Sequence, residues 1–218
     1  MPDHTYRPDL MGNAHLTSVT PVVAGEWTNF ELIYQAGKFG IDDLGGVRLA
    51  MRSHSDMTKL QTTDPTAPGY LTVEASNGAL IEYGFSYKRN IRPWGNCITV
   101  LCKGFLRPED TLTFRIGDPR QGCIGVRMQT HCESAFQFRF TIDAFASVDY
   151  IPILEERQPT IAVLPGPPSV WKAQLPTLRR PDEPFRLVVT SEDRWGNPSD
   201  LFNGFFVLKA TPDIPGLP

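Results

Sequence analysis

The sequence holds no apolar run long enough to cross a membrane as a helix, and only four cysteines and four histidines among 218 residues. The cysteines, Cys97, Cys102, Cys123 and Cys132, include no CxxC pair, and no two histidines stand at zinc-finger spacing. A metal site is therefore not expected in this chain. Cys97 and Cys102 lie at odd separation on one apolar run, which places them on opposite faces of a strand and argues against a disulfide between them. All four read as buried, reduced thiols. GxSxG, the P-loop, HExxH and a GxGxxG between strand and helix are all missing, so the common signatures of hydrolase, nucleotide and dinucleotide sites do not apply. An excess of one charge is missing too. Twenty-one basic residues stand against 24 acidic ones, a net charge of −3, which predicts neither a nucleic-acid partner nor a basic membrane patch. Met1–Asn13 is polar and has no apolar core of a secretory signal, so the expected location is cytoplasmic.

What the sequence does hold is turn residues and a period of two. Eighteen glycines and 20 prolines follow no regular repeat, the mark of frequent turns. Phe30, Leu32 and Tyr34 alternate with Glu31 and Ile33; Val47, Leu49 and Met51 alternate with Arg48, Ala50 and Arg52. Leu71 and Val73, then Leu112, Phe114 and Ile116, behave alike, and Phe136, Phe138, Phe140 and Ile142 form the clearest amphipathic strand, one face aromatic and the other wet. Gly45-Gly46, Asn77-Gly78, Pro108-Glu109-Asp110 and Gly117-Asp118-Pro119 separate the runs. Ser53–Gly69 is long and polar and reads as a short helix or a functional loop.

The expected fold is all-β: an antiparallel β-sandwich followed by a short immunoglobulin-like module that reads as truncated. Residues 1–14 form a flexible N-terminal segment, 15–165 the main sandwich and 166–218 the partial module. Pro165-Gly166-Pro167-Pro168 marks the boundary because prolines cannot donate to a ladder. Beyond it, Val170–Ala173, Phe185–Thr190 and Phe205–Ala210 are the strand candidates. Asp193 ahead of Gly196-Asn197 is placed to cap a tight turn.

Several motifs recur in order. Gly40-Ile41-Asp42-Asp43 precedes Gly45-Gly46; Asp64-Pro65 and Ala67-Pro68 precede Tyr70–Glu74; Asn90-Ile91-Arg92-Pro93-Trp94, Gly104-Phe105-Leu106, Arg115–Asp118 and Arg127–Thr130 follow; Pro165–Pro168 and Trp195–Pro198 close the series. Together they resemble the N-terminal half of a bacterial family known as a domain of unknown function. Its full members look like β-sandwich modules followed by a metal-dependent domain similar to the polymerase-and-histidinol-phosphatase superfamily. The resemblance implies a divalent metal in that C-terminal domain, behind a Gly-Asp-Leu-His type motif, and no cofactor in this chain. None of His4, His15, His54 and His131 sits in such a motif.

The residues that carry chemistry each have two readings. Asp42 and Asp43 suit a cation loop or an Asx-capped turn, and acidic neighbours are too few for a six-oxygen cage. Arg89, Arg92 and Trp94, with Arg107, Arg115, Arg120 and Arg127, suit an anion pocket. Equally, the arginines stack on Trp94 and pair with Asp118 and Glu133 to clamp loops. His131 and Cys132 resemble a nucleophile pair, but neighbours on a strand point to opposite faces. His54 and Asp56 share a face as a His–carboxylate pair or as solvated loop residues. The leading functional expectation is a non-catalytic accessory region of a larger metal-dependent hydrolase-like protein, shaping or covering an active site supplied elsewhere. A freestanding module for carbohydrate or a small anion, bound through Arg89, Arg92, Trp94, Arg120 and Arg127, is a second. A subunit that partners a separate catalytic chain is a third.

Overall fold

The structure, a computed structural model, describes residues 6–87, 90–178, 180, 182–207 and 209. The chain divides into two compact units, meeting in sequence at Leu164 and Pro165. Unit 1 carries β1 (Gly12–Leu16), β2 (Val22–Val23), β3 (Trp27–Thr28), β4 (Phe30–Ala36), β5 (Gly46–Met51), β6 (Leu71–Ala75) and β7 (Leu80–Ser86). It continues with β8 (Asn96–Lys103), β9 (Thr111–Ile116), β10 (Val126–Arg127), β11 (Glu133–Gln137), β12 (Arg139–Asp143), β13 (Ile151–Pro152) and β14 (Thr160–Leu164). Unit 2 carries β15 (Val170–Gln174) and β16 (Val188–Glu192).

The chain is all-β, and unit 1 is a sandwich. One sheet runs β1-β4-β9-β6 and the other β13-β12-β5-β8-β7, with antiparallel pairing throughout both. Alternation dictates which side chains meet between them. Phe30, Leu32 and Tyr34 of β4 and Leu112, Phe114 and Ile116 of β9 are buried, as are Val47, Leu49 and Met51 of β5. Tyr34 stacks on Phe140 of β12 with ring centroids 6.0 Å apart, and Phe114 meets the same ring edge-on at 5.5 Å. Each buried aromatic ring of this kind contributes about 1.5–3 kcal/mol of burial energy. No helix among the described residues is long and apolar enough to cross a membrane.

The aromatic run from Phe136 to Ile142 is buried as its alternation predicts, but it is two strands and not one. β11 pairs with β14 in a third sheet, completed by β2 lying parallel to β14. At Phe138 the chain leaves that sheet, its amide donating to the Pro159 carbonyl at 2.9 Å, and β12 then joins β5. Alternation continues across the switch because both strands face one core.

Two expectations are corrected, and one choice between two readings is narrowed. Residues 6–14 are not a loose lead: Pro8–Leu10 forms a 3-10 turn, and β1 pairs with β4 from Gly12 onward, burying Ala14 and Leu16. Ser53–Gly69 contains turns and no helix; Leu60 is buried, and the Gln61 side chain organises the bend by accepting from the amides of Thr63 and Asp64. In unit 2 the strand expected at Phe185–Thr190 is displaced to Val188–Glu192, which pairs antiparallel with β15. Continuing the register would set Pro176 opposite Arg186, and proline has no N–H to donate to the ladder there. Phe205–Val207 is not in a strand, while Leu208 and Ala210 lie outside the described residues.

Asp193 caps its turn. Its Oδ1 accepts from the amides of Trp195 and Asn197 at 2.8 and 2.9 Å, and its Oδ2 from the Gly166 amide and the Asn197 side chain at 3.0 and 2.9 Å. Gly196 sits within this turn at φ +88°, a left-handed conformation suited to glycine. Burial alone would raise the Asp193 carboxyl, but these donors outweigh it and hold it below the usual range.

Candidate functional site

A gathering of chemically active side chains stands where β5 and β11 meet their loops. β5 ends at Met51, and the chain leaving it carries Arg52, His54 and Asp56. The segment between β10 and β11 carries Gln129, His131 and Cys132, and β11 opens with Glu133. The turn before β8 carries Trp94.

Hydrogen bonds fix these loops to one another. The Ser53 amide donates to the Pro93 carbonyl at 2.7 Å, the Gly95 amide to Ser53 Oγ at 2.9 Å, and the Asn96 side chain to the Arg52 carbonyl at 2.9 Å. On the other side, Asp56 accepts from the Thr130 amide and from Thr130 Oγ1, each at 2.8 Å. Thr58 and Arg127 also exchange bonds, at 2.8 and 3.0 Å. Burial alone would raise the Asp56 carboxyl, but the two bonds from Thr130 outweigh it and hold it below its ordinary range.

His54 and His131 are thereby brought together, their ring centroids 5.2 Å apart. Ligand atoms of His54, His131 and Glu133 all lie within 4.8 Å of one another. Asp56 turns to His131, with Oδ1 4.0 Å from Nδ1, and not to His54 as the sequence spacing proposes. Gln129, fully buried, donates from Nε2 to Glu133 Oε2 at 3.2 Å and to the His131 carbonyl at 3.1 Å. Arg52 Nη1 stands 3.9 Å from Glu133 Oε1, and Arg127 Nη2 3.9 Å from Asp56 Oδ2.

The expected arginine cluster is redistributed. Among the described residues, Trp94 takes its cation–π contacts from Arg52 and Arg139, at 5.6 and 5.3 Å, neither of which the sequence singled out. Arg92 is exposed at the turn, before a cis bond to Pro93, and Arg89 lies outside the described residues. Arg120 belongs to a separate network with Asp118, Glu74 and Thr72, and Arg115 bridges Glu31 and Glu74 beside it. Asp42 and Asp43 lie in the turn before β5, where Asp43 Oδ1 accepts the Gly104 amide at 2.8 Å. His131 and Cys132 precede β11, where His131 faces His54 while Cys132 packs against the core. Cys97, Cys102 and Cys123 are buried and Cys132 is half-buried. Burial pushes the Cys102 thiol up to about 11.

A second feature is an open concavity of about 470 Å³ lined by Arg48, Asn90, Thr141, Asp149 and Tyr150, among others. The Arg48 guanidinium lies 3.6 Å from the Tyr150 ring centroid. Arg48 Nε and Thr141 Oγ1, opposite each other on β5 and β12, are buried without a hydrogen-bond partner among the described residues.

No protein-family model matches the sequence, and no curated protein matches it. The solved structures to which this chain is similar include two. One is AvmM, which catalyses macrocyclization in alchivemycin A biosynthesis, at 12% identity and a TM-score of 0.36 over 75% of this chain and 93% of that one. The other is the CBM3a-L domain, with flanking linkers, from scaffoldin cipA of the Clostridium thermocellum cellulosome, at 15% identity and a TM-score of 0.33 over 68% of this chain and 91% of that one.

Proposed function

We propose that this chain is a non-catalytic β-sandwich accessory region of a larger metal-dependent hydrolase-like protein, packing against a catalytic domain or subunit that supplies the active site. The observation that carries this reading is an apolar cluster on unit 2. Trp171 of β15 meets Phe202 and Phe206 at 4.6 and 4.8 Å between ring centroids, and those two rings meet each other at 4.9 Å. All three rings remain substantially exposed, and the neighbouring Phe205 is 100% exposed. Apolar surface gathered in this way marks an interaction site. The ordered motif set supports the association with a hydrolase. The test is to compare this chain with the longest polypeptide its gene encodes, together with any co-encoded catalytic chain. Acrylamide quenching of Trp171, read as the difference between wild type and Trp171→Phe, is expected to be strong in the chain alone and weak in the larger assembly. Generic ester hydrolysis is expected in the assembly only. Equal quenching in both, or turnover by this chain alone, overturns the reading.

A second reading, a small-anion-binding module, is favoured by the concavity at Arg48 and not by the arginines expected from sequence. A buried guanidinium nitrogen without a hydrogen-bond partner among the described residues favours a carboxylate or phosphate oxygen. Thermal shift with small carboxylates, abolished by Arg48→Met, tests it.

A further inference from the structure

We propose that His54, His131 and Glu133 form a binding site for a divalent transition-metal ion of the zinc class. The proposal goes beyond the accessory reading and does not depend on it. Two imidazoles and one carboxylate are the mixed nitrogen and oxygen set that Zn²⁺ takes, whereas Ca²⁺ and Mg²⁺ take oxygen ligands. Three ligands about 2.1 Å from a tetrahedral ion stand about 3.4 Å apart. Ligand atoms within 4.8 Å of one another need close only modestly to reach that geometry. His54 is exposed on a loop, so rotation of its side chain supplies the movement and its open side supplies the entry path.

The surroundings orient two of the three ligands. His131 Nε2 is hidden from solvent and has no hydrogen-bond partner among the described residues, an unfavourable state for an imidazole nitrogen. Across the ring, Nδ1 faces Asp56 Oδ1 at 4.0 Å. A carboxylate on the Nδ1 side, at ion-pair and not hydrogen-bond distance, favours the proton on that nitrogen and leaves the Nε2 lone pair for the ion. Asp56 is itself fixed by both donors of Thr130. Glu133 is held on Oε2 by the buried Gln129 amide.

Charge then selects the group that completes the coordination. With neutral imidazoles, the carboxylates of Glu133 and Asp56 are balanced by Arg52 and Arg127, each 3.9 Å from one of them. The ion adds its whole charge to a balanced site, so the remaining position favours hydroxide or a ligand carboxylate over a neutral group.

The test is isothermal titration of the full chain with ZnCl₂, alongside Co²⁺ absorption spectra. One ion per chain is expected, with the visible ligand-field bands of tetrahedral Co²⁺. His54→Ala and His131→Ala are each expected to weaken binding at least about tenfold, a loss no smaller than that caused by removing an outer-shell partner. His15→Ala, on β1, should leave binding unchanged. Absence of saturable one-to-one binding in the wild type overturns the proposal, and so does binding that survives both substitutions or falls equally in His15→Ala. Should His131→Ala fail to fold, His54→Ala and the wild-type Co²⁺ spectrum decide, because the His54 side chain is exposed.

Discussion

Arg120 closes on the carboxylate of Asp118, its Nε 3.0 Å from both oxygens and its Nη2 2.7 Å from Oδ2. Thr72 Oγ1 adds a bond of 2.6 Å to Oδ2, and the Arg120 amide adds one of 3.1 Å to Oδ1. Burial alone would raise this carboxyl, but the bonds from Arg120 and Thr72 outweigh it and bring it down to about 2. A depressed carboxyl stabilises the fold fully above its ordinary value, near 3.8, and that contribution is lost as pH falls towards about 2. Urea unfolding across this window is therefore expected to show stability falling with acidification. Asp118→Asn should be less stable than wild type at neutral pH, and its profile should be flatter between about pH 4 and about pH 2. Parallel profiles would remove Asp118 from the acid response.

Gln158 acts as a piece of strand. Its Oε1 accepts the Phe140 amide at 2.7 Å, and its Nε2 donates to the Phe140 carbonyl at 3.0 Å and the Ile153 carbonyl at 3.3 Å. The side-chain amide thus serves β12 as a backbone neighbour would. Gln158→Leu keeps the volume but strands the buried Phe140 N–H, at a cost of about 1–3 kcal/mol. Denaturant midpoints read that cost, and hydrogen exchange at the Phe140 amide should accelerate more than at Ile142. Unchanged exchange at Phe140 would show that another acceptor takes over.

Phe138 lies between two rings, 5.2 Å from Phe30 and 5.1 Å from Phe136, and is fully buried. Phe138→Ala is expected to cost about 3–5 kcal/mol, since the cavity opens where two sheets meet. Phe145, also in an aromatic pair at 5.1 Å but 46% exposed, provides the contrast: Phe145→Ala should cost under about 1 kcal/mol. Equal losses would mean that burial does not set the energetics here.

The core was legible in the sequence because alternation reports which face of a strand is dry, whatever that strand pairs with. Phe30, Leu49, Phe114 and Phe140 could be placed inside on that basis alone. Pairing was not legible. Nothing in Phe136–Ile142 announces that the ladder partner changes at Phe138, since that depends on where Pro159 and β14 return. The histidine cluster was hidden for a related reason. His54 and His131 are on separate loops, each unremarkable locally, and they meet because Ser53 is fixed to Pro93 and Asp56 to Thr130. The arginine readings show the same limit. Clamping by carboxylates was foreseeable, and the pairing of Arg120 with Asp118 is of that kind, but Arg139 reaches Trp94 only through the register that sets it beside Ala50 of β5.

The change of sheet at Phe138 makes one short stretch of chain a shared hinge pin for two ladders. Neither ladder can peel away without pulling on the other, so loosening of β14 is transmitted to β5 along the backbone itself. The peptide bond between Phe138 and Arg139 is therefore a poor place to open the chain for a circular permutant or a split reporter. A break there would leave each fragment with half of a strand pair and an aromatic face that has lost its continuation.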